Sequence, residues 1–124
     1  MTTIRAYTTI KQSKRLAEIL PLKSADMDYI PITNIDGEYS VEVNEWDNEH
    51  VIEEGWTPCW SLSSLLNILP DKLQIILAIN DFQGDRKERY AIGSVKHNNY
   101  DCYADNPIDA CVEMILKLHE LKML

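Results

Sequence analysis

The chain has 124 residues, 45% of them apolar and 26% charged, with a formal net charge of −8. That length and composition predict one soluble globular domain over residues 1–124. The longest purely apolar run, Ile75–Ile79, is far short of the ~20 residues of a membrane span. Residues 1–10 hold no apolar signal-peptide core, so the expected compartment is the cytoplasm.

In chain order, the first element begins at Thr9, with Gln12 in capping-box position. Ile10, Ser13, Leu16, Ala17 and Leu20 then share one helical face, and Lys11, Lys14, Arg15 and Glu18 the other. Pro21 stops the helix at Leu20. Residues 29–33 and 38–43 read as a short hairpin around Asn34-Ile35-Asp36-Gly37, because Tyr39, Val41 and Val43 alternate with Glu38, Ser40 and Glu42. Pro31 assigns the first of these strands to an edge or outside the sheet. Residues 44–58 carry no period and read as a long acidic loop.

Ser61 then caps a helix with Leu62, Leu65, Leu66 and Leu69 on one face, stopped by Pro70. Residues 73–79 are apolar at every position but Gln74, which predicts a central or doubly covered strand. Residues 88–96 and 100–104 follow as strands, the first entered through a polar loop at 80–87 and the two joined by a tight turn near Asn98-Asn99. The last helix has Asn106 as N-cap and Pro107 at its first position. Ile108, Cys111, Val112, Ile115 and Leu118 form its apolar stripe, flanked by Met114 and Leu121. Glu113 and Lys117 lie opposite at the favourable spacing of four. Strands joined by short turns pair antiparallel. The expected fold is therefore α+β: a three-stranded meander plus a short hairpin, with helices packed on one face.

Charge is distributed unevenly. Residues 1–23 carry +4, residues 24–57 carry −10 without a single Lys or Arg, and residues 58–124 carry −2. The acidic middle argues against nucleic acid and membrane as partners and favours a protein partner with a basic surface. Arg5, Lys11, Lys14, Arg15 and Lys23 read as a solvated face. Cys59, Cys102 and Cys111 are odd in number and lack C-x-x-C spacing, which fits free thiols in a reducing compartment.

The motifs of nucleotide and hydrolase chemistry are missing. Gly37, Gly55, Gly84 and Gly93 are nowhere closer than nine residues, so neither a dinucleotide fingerprint nor a P-loop can be built. No G-x-S-x-G or H-E-x-x-H occurs. A zinc set of His97, Cys102, Cys111 and His119 is disfavoured, because Cys111 and His119 lie ~12 Å apart along one helix while zinc ligands converge within ~2.3 Å of the metal. Asn34, Asp36 and Gly37 imitate an EF-hand, but its end positions would be Ile32 and Val43 instead of carboxylates. Asp36, Glu38, Asp47 and Glu49 could still meet a cation weakly. No cofactor, metal site or catalytic residue is assigned.

Cys59 precedes the helix at Ser61, where a helix terminus could stabilise its thiolate and His50, His97 or His119 could act as base. The plainer reading is a packed corner with Cys59 between Trp56 and Trp60. Trp46, Trp56 and Trp60 fall within fifteen residues, in or beside the acidic segment, and tryptophan is enriched at binding hot spots. They are either core or the aromatic anchors of a surface ringed by carboxylates.

Several pieces stand out together: Tyr7-Thr8-Thr9-Ile10-Lys11-Gln12-Ser13-Lys14, Ala25-Asp26-Met27, Pro58-Cys59-Trp60-Ser61-Leu62 with Leu65-Leu66 and Leu69-Pro70, and Asn106-Pro107-Ile108-Asp109-Ala110 with Glu113-Met114. The set resembles a group of small uncharacterised proteins of gut-anaerobe genomes, often in prophage or mobile-element regions. The resemblance implies an accessory protein of such an element and carries over no activity and no functional residue. The reading reached is a non-enzymatic interaction protein that binds its partner through residues 24–57, with Trp46, Trp56, Glu45, Asp47 and Glu49 as contacts. The alternatives are a small hydrolase or thiol enzyme using Cys59 with a histidine, and an acidic decoy of nucleic acid.

Overall fold

The structure, a computed structural model, describes residues 6–31, 39–43, 55–80, 87–95 and 101–124. The order of elements is α1 (Ile10–Ala17), β1 (Met27–Pro31), β2 (Tyr39–Val43), β3 (Thr57–Cys59), α2 (Leu62–Ile68), β4 (Ile75–Ile79), β5 (Tyr90–Ser94), β6 (Cys102–Ala104) and α3 (Pro107–Glu120). They form two antiparallel sheets, β2-β1-β3 and β4-β5-β6. The fold is α+β, as expected. The chain divides into two compact units, Tyr7–Ser64 and Leu65–Leu124 with Met1–Ala6.

In the unit Tyr7–Ser64, α1 starts where its capping box dictates. The Gln12 N–H donates to Thr9 Oγ1 at 3.1 Å, and the Thr9 N–H donates to Gln12 Oε1 at 3.0 Å, so two orphan donors of the first turn are satisfied reciprocally. The helix ends at Ala17 and unwinds through a turn before Pro21, three residues short of the expected stop. Ser13, Leu16 and Leu20 are buried, while Ala17, placed on the apolar face by spacing, is exposed. The helix packs on β3.

β1 is the central strand of its sheet, which corrects the edge assignment drawn from Pro31. Its pairing with β2 runs from Met27↔Val43 to Pro31↔Tyr39, whereas β3 pairs only from Met27↔Cys59 to Tyr29↔Thr57. Pro31 is the last residue of the strand, beyond the reach of β3, so a missing donor there costs that ladder nothing. β3 itself falls partly in the segment read as loop. Three residues around Pro58 show no alternation, so its pairing is set by tertiary contact rather than local pattern. The Asn34–Gly37 turn lies outside the described residues. Tyr7 and Tyr29 meet edge to face, with ring centroids 6.3 Å apart, a favoured aromatic geometry.

In the unit Leu65–Leu124, β4, β5 and β6 form the expected meander, in register at Leu77↔Ile92 and Ile92↔Cys102. The loop at 80–87 is described only at its ends, and the Asn98-Asn99 turn lies outside the described residues. α3 packs against β5 and β6. The Asn106 side chain accepts the Ile108 N–H at 3.0 Å, with Pro107 in the first turn. Ile108, Cys111, Val112, Met114, Ile115 and Leu118 are all buried, and Leu121, past the helix end, is exposed.

β4 departs from expectation. Among the described residues it is an edge strand, not a central one, and it starts at Ile75 because Asp71–Leu73 form a 3-10 turn closed by Gln74 in the left-handed region at φ 51°. Ile75 and Leu77 are half-buried, whereas Ile76, Ala78 and Ile79 are exposed. An uninterrupted apolar run specifies that a strand can be covered on both faces; it does not supply the covering elements.

Candidate functional site

Of the residues nominated for partner binding, Trp46, Glu45, Asp47 and Glu49 lie outside the described residues, as do Asp36 and Glu38 of the cation reading. Trp56 is described. It follows Gly55, whose φ of 68° turns the chain into β3, and it is half-buried. Trp60 is fully buried, its Nε1–H donating to Ser24 Oγ at 3.0 Å, so this indole is core and not a docking anchor.

The most connected polar feature lies beside it and centres on Thr8. The Thr8 N–H donates to the Trp60 carbonyl at 2.9 Å, and the Trp60 N–H donates back to Thr8 Oγ1 at 3.1 Å. Thr8 Oγ1 also meets Ser13 Oγ at 2.7 Å, and the Tyr29 hydroxyl donates to the Thr8 carbonyl at 2.6 Å. Thr8 and Ser13 are fully buried, and buried polar groups hold their place only when paired like this. The result ties the segment before α1 to β1 and to the end of β3.

Cys59 sits inside this network, its Sγ 3.5 Å from Thr8 Oγ1 and 3.6 Å from the Thr8 carbonyl. Burial pushes its thiol up from the ordinary value, an effect that hydrogen bonds from Thr8 and Ser13 only offset, and the Asp26 charge adds to it. Desolvation therefore disfavours the thiolate that the thiol-enzyme alternative needs, in line with the plainer reading of a packed corner. The described residues of this unit include no histidine, and His50 lies outside them. His119 is exposed in the last turn of α3, and His97 lies outside the described residues.

A second polar chain runs from Asp26 to α2. The Asp26 carboxylate accepts the Ser61 N–H at 2.9 Å and also the Ser61 hydroxyl, while Ser61 Oγ accepts the Ser64 N–H at 3.2 Å. Ser61 thus caps the helix as its sequence position indicated, and Asp26 orients the cap. Asp28, two residues on, is only 5% exposed. Two carboxylates of the acidic segment are therefore built into the fold.

Thr8 and Asp26 carried no signal of their own as isolated residues. They do fall in the short segments noted together in the sequence, 7–14, 25–27 and 58–62, which the fold brings into these two hydrogen-bonded chains. The other two thiols are also pushed up by burial, Cys111 to about 12, and Cys102 with Lys117 partly offsetting the shift. All three cysteines are free. Among the described residues, no three His, Cys, Asp or Glu side chains are grouped to hold a metal ion, and no helix is long and apolar enough to cross a membrane. Comparison with protein-family models, curated proteins and solved structures gives no match.

Proposed function

We propose that the protein is a non-enzymatic interaction protein of the cytoplasm that binds a basic protein partner through its acidic segment, residues 24–57. The observation that carries this reading is the ten carboxylates of that segment without one Lys or Arg. Such a run cannot neutralise itself locally, and its field attracts cationic surfaces. Glu45, Asp47 and Glu49 supply charge at its centre, and Trp46 and Trp56 supply apolar area of the kind that dominates interface energetics. Trp56, half-buried, keeps surface that Trp60 does not. The resemblance to proteins of prophage and mobile-element regions suggests an accessory role in such an element. Cys59 does not favour the thiol-enzyme alternative, since its side chain is buried and burial pushes the thiol up from its ordinary value.

The test is an affinity pull-down from host lysate at low and high salt, run in parallel with the triple variant Glu45→Lys, Asp47→Lys, Glu49→Lys and with Trp46→Ala. A basic protein captured by the parent at low salt, and lost with either variant, supports the reading. Capture that is indifferent to salt and to the charge reversals overturns it.

A further inference from the structure

We draw no further inference here: the strongest candidate, the apolar outer edge of the Leu65–Leu124 sheet formed by β4, where Ile76 is 55% and Ile79 62% exposed, carries nothing because nothing in the structure shows what covers it.

Discussion

Thr8 bears more of the Tyr7–Ser64 unit than its size suggests, because its hydroxyl serves the Trp60 N–H and the Ser13 hydroxyl at once. Thr8→Val keeps the shape and removes both partners, leaving a buried backbone donor unsatisfied. A loss of about 1–3 kcal/mol is expected, measured as a lower urea midpoint. Thr8→Ser, which retains the oxygen, should lose much less; equal losses would show that packing, not hydrogen bonding, holds the site. The thiols give a second residue-scale expectation. Burial pushes the Cys111 thiol up to about 12 from an ordinary value of 9.0, so the native state holds the thiol proton more tightly than the unfolded state. Its contribution to stability is then complete below about pH 9 and is lost as pH rises from there toward 12, by at most about 1.4 kcal/mol per pH unit. Alkaline urea titrations of the parent and Cys111→Ala should therefore converge as pH rises through that window. The same burial makes Cys59 and Cys111 slow toward a thiol reagent at neutral pH and fast on unfolding. Little of this was legible in advance. A capping box is read from residues three apart, whereas the partners of Thr8 lie as far as 52 residues along the chain.

At the scale of elements, legibility followed the range of the forces involved. α3 was readable because its cap, its first-turn proline and its apolar stripe all sit within one helix, and each is a local preference. The place of β4 is not local information, because edge or centre depends on which strands come to lie alongside. The difference can be measured. Ile92→Ala, at a fully buried position of β5, should cost about 2–5 kcal/mol, whereas Ile76→Ala on the exposed row of β4 should cost under about 1 kcal/mol. A large cost at Ile76 would mean that its row is covered in solution. The turns offer a contrast between strain and sterics. A Cβ at Gly55 would meet no atom within 4 Å, yet φ there is +68°, so Gly55→Ala should destabilise by roughly 1 kcal/mol through backbone conformation alone. Gln74 is already in that region at φ 51°, and Gln74→Gly should relieve part of the same strain and raise the melting temperature.

Across the whole molecule, the net charge of −8 comes from the middle third, which holds ten acids. The five basic residues before it cannot balance them; half-buried Asp26 is tied to the cap of α2 and Asp28 is buried. A net negative field therefore belongs to the segment around Glu45, Asp47 and Glu49. Charges in solvent are screened beyond ~10 Å at 0.1 M salt, and charges at the rim of an interface act mainly on encounter and not on the lifetime of the complex. Reversing all three to Lys changes the net charge by six units. With a basic partner, the association rate should fall steeply while dissociation changes little, and the remaining salt dependence should flatten. Trp46→Ala should do the opposite, leaving association near the parent value and speeding dissociation, because desolvated aromatic area governs how long a complex lasts. Stopped-flow or surface-binding kinetics at two salt concentrations separates the two. If both variants act only on dissociation and salt has no effect, long-range attraction is not the device, and the acidic segment serves the protein's solubility alone.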